Sequence, residues 1–175
     1  MTKFLKIAVL SFAVLMASCA APSPVLAATT SVSSTAFPNG LPPVTAPGFL
    51  NPAVTQANIK STICVSGYTA KIRPSVSFTN KLKLKQMADL HLTGKASDYE
   101  EDHLISLELG GSPTSPLNLW PQAWSSSYNA HAKDQLENKL NKLVCSGTIT
   151  LDFAQKAISK DWIAAYKVYV SAKPK

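Results

Sequence analysis

The chain has 175 residues, 46% hydrophobic and 15% charged, which leaves room for one domain; no internal repeat is visible, so a solenoid or propeller is excluded. Its formal net charge is +7. A basic surface of this kind favours polyanions such as nucleic acid, anionic lipid or acidic polymers.

The N-terminus places Lys3 and Lys6 ahead of the apolar run IAVLSFAVLMA, followed by small residues. That order reads as an export signal over 1–27, because the apolar run is short for a bilayer span. Two processing sites compete. Val25-Leu26-Ala27 suits a signal peptidase and gives a start near Ala28. Met16-Ala17-Ser18-Cys19 resembles a bacterial lipobox, which would lipidate Cys19 and tether the chain to a membrane. Met in place of the usual Leu favours soluble export, to periplasm or medium. Loss of Lys3 and Lys6 leaves a net charge of about +5. Cys64 and Cys145 then remain, and two cysteines in an exported domain are expected to pair.

Residues 28–57 are rich in Thr, Ser, Ala and Pro with almost no charge, and read as a flexible or extended linker, so the folded domain is expected over 58–170. Residues 59–65 alternate loosely and suggest a strand carrying Cys64. Pro74 keeps Arg73 extended, and Thr79 is the expected cap of a helix over 80–90. A strand is expected over 99–109, ended by Gly110-Gly111. From Ala130, apolar residues at Leu136, Leu140, Leu143 and Val144 predict a helix stopped at Gly147. A last helix over 151–168 has Thr150 as its cap. Its expected core face is Phe153, Ala154, Ala157, Ile158, Ala165 and Tyr166.

Asp98, Glu100, Glu101 and Asp102 are four of the ten acidic residues and stand directly before His103. The stretch DYEEDHLISLELGGSPTSPLNLWPQ, with KDQLENKLNKLVCSG and AQKAISKDWIAAY after it, resembles small exported bacterial proteins of the HNH endonuclease superfamily; the resemblance covers 63–166. It implies an α+β fold, a small HNH-type ββα-metal finger with flanking helices and one disulfide. It also implies hydrolysis of DNA, with RNA as a further substrate, at low sequence specificity and with a 5′-phosphate product.

The chemistry needs a deprotonated water and a cation to absorb charge developing on the phosphate. By the resemblance Asp102 holds the metal, His103 takes the water's proton, and Asn118 pins the loop carrying the histidine. Gly110 and Gly111 make the turn between the finger's strands. The usual spacing for the helix-borne ligand falls on Ser127, a poor donor, so residues 125–128 must loop out. His131 is then the expected ligand and Asn129 the alternative, which serves equally as helix cap. A carboxylate with at most one or two imidazoles suits Mg²⁺ or Mn²⁺ better than Zn²⁺.

Lys81, Lys83 and Lys85, with Lys71 and Arg73 upstream, form the densest basic stretch and are expected at nucleic acid, as is Lys133 in the first turns of the helix. Trp120, Trp124 and Trp162 are expected in the core. A monomer without a small-molecule cofactor is expected. The competing reading is a non-catalytic envelope or secreted binding protein that keeps the finger as scaffold.

Overall fold

The computed structural model describes residues 40–172. The expected export signal over 1–27, the lipidation of Cys19 and the first part of the linker, 28–39, lie outside the described residues.

Helix α1 (Tyr68–Ile72) is a short turn that ends where Arg73 becomes extended, with φ −61° and ψ 130°. Pro74 enforces that conformation. Ser75, rather than Thr79, is therefore the first residue free to cap, and its hydroxyl accepts the Phe78 amide at 3.3 Å to open α2 (Val76–Asp89). Residues 59–65 do not form a strand. A 3₁₀ turn spans Gln56–Ser61, fixed by Asn58 Oδ1, which accepts the Thr55 amide at 2.8 Å, and by Asn58 Nδ2, which donates to the Ala53 carbonyl at 2.9 Å. Ile59 and Ile63, one helical step apart, both enter the core.

The sheet has two antiparallel strands, β1 (Tyr99–His103) and β2 (Leu119–Ala123), with His103 opposite Leu119 and Tyr99 opposite Ala123. The architecture is α+β. The expected strand over 99–109 stops at His103, because from Leu104 onward the partner is no longer a strand but Asn118. The segment turns at Ser106, whose hydroxyl accepts the Glu108 amide, and closes as a 3₁₀ turn over Leu107–Leu109. Gly110-Gly111 is consequently not a hairpin turn between the strands, which are joined by residues 104–118. Gly110 ends the 3₁₀ turn at φ +73°. Gly111 has no space for a side chain, since a Cβ there would lie 1.7 Å from the Ile105 carbonyl oxygen.

Helix α2 packs on the sheet through Lys83 Nζ, which donates to the Tyr99 carbonyl at 2.9 Å, and Gln86 Nε2, which donates to the Leu119 carbonyl at 2.8 Å. Helices α3 (Ala130–Cys145) and α4 (Leu151–Tyr166) follow, capped by Asn129 and Thr150, with Gly147 just beyond the end of α3 as expected. The inward stripe of α4 is Leu151, Ala154, Ile158, Trp162 and Ala165, packed against Leu136, Leu140 and Val144 of α3 and against Leu104, Ile105 and Trp120. Phe153, expected in the core, is 48% exposed, because the face begins one turn position earlier, at Leu151.

Residues 40–57 are folded rather than a linker. Ala46 and Val54 are buried, and the amides of Gly48 and Asn51 each donate, at 2.9 Å, to the carbonyls of Leu117 and Gly110. Trp162 Nε1 donates to the Gly40 carbonyl at 2.8 Å. Proline density here marks a pre-extended strap, which loses little chain entropy on docking.

Cys64 and Cys145 are bonded, their Cα atoms 5.6 Å apart across a sequence separation of 81. The bridge joins the segment before α1 to the end of α3. The double substitution Cys64→Ser, Cys145→Ser is expected to cost about 3 kcal/mol, read as a lower urea midpoint.

Candidate active site

Alternation along β1 divides its residues between two faces, Tyr99, Glu101 and His103 on one and Glu100 and Asp102 on the other. His103, the last strand residue, is 5% exposed and lies 3.0 Å through Nε2 from the Pro113 carbonyl oxygen. A carbonyl oxygen only accepts, so Nε2 carries the hydrogen and Nδ1 keeps the lone pair of the neutral ring. Burial holds the His103 pKa below its ordinary 6.5, against the opposing pull of the Pro113 bond and of Asp102. The ring is therefore neutral at physiological pH and able to accept a proton.

Asn118 is fully buried and uses its whole amide on backbone. Its Oδ1 accepts the amides of Ile105 at 3.0 Å and Phe49 at 3.3 Å, and its Nδ2 donates to the carbonyls of Ile105 and Ser112, each at 3.0 Å. Its own carbonyl accepts the Leu104 amide at 2.8 Å. One side chain thus joins the exit of β1 to Ser112, the residue before the Pro113 carbonyl that holds His103. Asn118 clasps the backbone on both sides of the segment between the strands.

Asp102 faces α3. Its Oδ2 lies 2.8 Å from Lys133 Nζ, which also donates to the His103 carbonyl at 2.6 Å and pairs with Glu137. Lys133 is fully buried. Burial alone would lower its pKa, but the two carboxylates outweigh that and raise it. The expectation that Lys133 contacts phosphate is corrected, because its ammonium is spent inside the fold. One ammonium neutralises only one of two carboxylates, and Glu137 is pushed up to about 8 by burial and by Asp102, against Lys133.

His131 joins neither Asp102 nor His103, and these two, expected to share one site, lie on opposite faces of β1. The His131 ring lies against Trp124, centroids 4.8 Å apart, with Nδ1 4.0 Å from Asp134 Oδ2. Asn129, the alternative ligand, caps α3, its Oδ1 accepting the Ala132 amide at 3.1 Å. Among the described residues no three His, Cys, Asp or Glu side chains gather as a ready-made metal cage. Mg²⁺ needs none, since one or two carboxylates and the substrate's phosphate complete its shell. Carboxylate chemistry at the junction of β1 and α3 suits such an ion. Glu100 is raised to about 7 by burial and then by Asp102 and Asp134, and Asp134 is raised by burial and by Asp102. Negative charge crowds there beyond what Lys133 and Arg73 offset.

Lys81 and Lys85 are exposed on α2, Lys85 paired with Asp89 at 2.5 Å, while Lys83 is turned to the Tyr99 carbonyl. The lysines of the basic stretch thus divide between surface and scaffold. His103 opens instead on a cleft of about 360 Å³ between α2 and β1, with Arg73, Asn80, Glu100, Glu101 and Trp124 among its walls. The Glu101 carboxyl oxygens are buried there without a hydrogen-bond partner among the described residues, and its pKa is pushed up to about 8, by burial first, against Lys83. Trp120 and Trp162 are core, as expected, but Trp124 is half-buried at the cleft. Its place directly after β2, ahead of a run of serines, was the one signal available. Compared with protein-family models, characterised proteins and solved structures, the chain shows no significant match.

Proposed function

We propose that this chain is an exported HNH-type endonuclease that hydrolyses phosphodiester bonds of DNA, and of RNA, with low sequence specificity. The observation that carries the reading is the His103 ring itself: neutral, tied by Nε2–H to Pro113, anchored through Asn118, adjacent to Asp102, and open to a cleft. Nδ1 accepts the proton of an attacking water, whose oxygen bonds to phosphorus as the bond to the leaving oxygen breaks. The Pro113 bond and the Asn118 clasp fix the ring's direction, on which in-line geometry depends. Mg²⁺ or Mn²⁺, held by Asp102 with Glu100 or Asp134, would neutralise charge developing on the phosphate. The disulfide is compatible with an oxidising compartment.

One observation favours the second reading, a non-catalytic binding protein: the Lys133 ammonium stands at the Asp102 oxygen a cation would use. Plasmid nicking with Mg²⁺, Mn²⁺ or Zn²⁺, with and without chelator, separates the two. Chelator-sensitive nicking that falls at least 100-fold in folded His103→Ala supports the nuclease. Equal nicking by both proteins marks a contaminant and leaves the binding protein.

A further inference from the structure

The cleft beside His103 has a composition that the hydrolytic step does not use. Arg73 lies on its wall, held extended by Pro74 between α1 and α2, and is exposed; its guanidinium makes no ion pair or hydrogen bond among the described residues. Its charge nevertheless acts on Glu100, His103, Glu108 and Asp134, which places it at the mouth of the site rather than on a remote surface. Trp124 forms another part of the wall, and the His131 ring lies against it at 4.8 Å. The cleft also carries Asn80, a neutral donor and acceptor, on α2. At about 360 Å³ it lies at the small end of ligand sites, ample for a nucleotide unit and too small for a duplex.

We propose that this cleft seats one unstacked nucleotide of a single-stranded nucleic acid, with Arg73 gripping a phosphate next to His103 and Trp124, backed by His131, stacking on the base. The proposal rests on the nuclease reading and narrows its substrate. A guanidinium matches two non-bridging phosphate oxygens at once, which no lysine of the basic stretch does. An aromatic face accepts any base, in keeping with low sequence specificity. A base can reach an indole only when it is out of the stack, so single strands and frayed ends are preferred to intact duplex. The His131 side chain, expected at a metal, acts here as a prop for Trp124.

The test is fluorescence anisotropy of a labelled oligothymidylate and of a duplex of equal length, titrated with the full exported chain in chelator so that no cleavage occurs. Binding of the single strand at least tenfold tighter than the duplex is expected. Arg73→Ala and Trp124→Ala each weaken it about tenfold, a stacked base being worth ~1–3 kcal/mol. Arg73→Lys recovers only part of the loss, and Lys139→Ala, on the outer face of α3, changes nothing. Circular dichroism confirms that each variant is folded. Equal affinity for both forms, no binding to either, or indifference to Arg73 and Trp124 overturns the seat. Plasmid nicking is scored separately. Nicking that depends on His103 with binding indifferent to Arg73 and Trp124 sinks the seat alone; binding as expected without any nicking sinks hydrolysis and leaves the seat standing.

Discussion

Lys133→Met is expected to destabilise the protein by about 3–5 kcal/mol, since it leaves two carboxylates inside the fold with no counter-charge. Methionine fills much of the same volume, so the loss is electrostatic rather than a cavity. Lys133 Nζ holds the Asp102 oxygen at 2.8 Å, the Glu137 carboxylate and the His103 carbonyl together. Restoring neutrality on the other side, with Asp102→Asn and Glu137→Gln added, returns most of the stability; that recovery separates a charge effect from poor packing. The triad also has a pH signature in the wild type. Glu137 titrates near 8 when folded and near 4.5 when unfolded, so between those values the folded state binds the extra proton. Stability from this group is fully present at about pH 4.5 and is lost as pH rises through 8. Glu101 and Glu100, raised to about 8 and about 7, have the same sign. His103, lowered, has the opposite sign and withdraws stability as pH falls below 6.5. Asp134 and Glu108, raised by burial as well, side with the three glutamates, and five carboxyls against one imidazole set the optimum on the acidic side of neutrality. Thermal melts at pH 5.5, 7 and 8.5 should show the wild type weakening toward alkaline pH and Glu137→Gln, which keeps an acceptor for Lys133, weakening less. A Lys133→Met protein within 1 kcal/mol of wild type at pH 8.5 contradicts the account.

The helices were legible where local chemistry decides them. Asn129, Thr150 and Gly147 mark ends that side-chain caps and a positive φ define on their own, and the α3 periodicity at Leu136, Leu140 and Val144 is the buried stripe. The disulfide followed from the cysteine count and the expected export. Long-range pairing was not legible. Leu104 and Ile105 look like continuing strand because nothing local shows that Asn118 takes the place of a neighbouring strand. Lys133 reads as a surface cation by residue type, yet it stands three residues before Leu136 and seven before Leu140, in line with the buried stripe, so the helical period already turned it inward; what was not legible is its counter-charge, since Asp102 arrives from 31 residues earlier. Residues 40–57 read as linker because composition reports stiffness, and a stiff segment serves as spacer or strap according to what lies beside it. In the candidate site, the roles of Asp102, His103 and Asn118 were expected from the resemblance alone; the backbone clasp of Asn118 is seen, while alternation along β1 sets Asp102 and His103 on opposite faces. The third position was not legible, since His131 and Asn129 are both plausible donors by type and only geometry shows one against Trp124 and the other capping α3.

Asn118→Ala is expected to cost about 4 kcal/mol and, if the proposed nuclease reading holds, to reduce cleavage at least 100-fold even at temperatures where the variant stays folded. Truncation orphans four backbone groups: the amide and carbonyl of Ile105, the amide of Phe49 and the carbonyl of Ser112. A buried polar group without a partner costs about 1–3 kcal/mol, and water reaches Phe49 and Ser112 more readily than Ile105, so the total falls short of four full penalties. No substitute residue moves in easily, because Gly111 sits directly over the Ile105 carbonyl with its Cβ position 2.8 Å from Asn118 Nδ2. On the proposed nuclease reading, catalysis suffers by a separate route. Ser112 loses its tie, the Pro113 carbonyl shifts, and the His103 ring is freed to rotate about χ1 and χ2. In the proposed nuclease Asn118 acts as a positioning residue, so the decisive readout is the imidazole and not the rate. In the wild type, nitrogen-edited NMR should show a His103 Nε2–H protected from exchange and a ring that titrates below its ordinary 6.5. In Asn118→Ala the protected proton is lost and the ring titrates closer to its ordinary value, with kcat reduced more than KM is raised. Asn118→Asp keeps the acceptor for Ile105 and Phe49 but loses both donations, and should fall between wild type and alanine only at low pH, where its carboxyl is protonated and can donate once. A folded Asn118→Ala protein with the His103 proton still protected would show that the ring is held by Pro113 alone and that the clasp does not reach the chemistry.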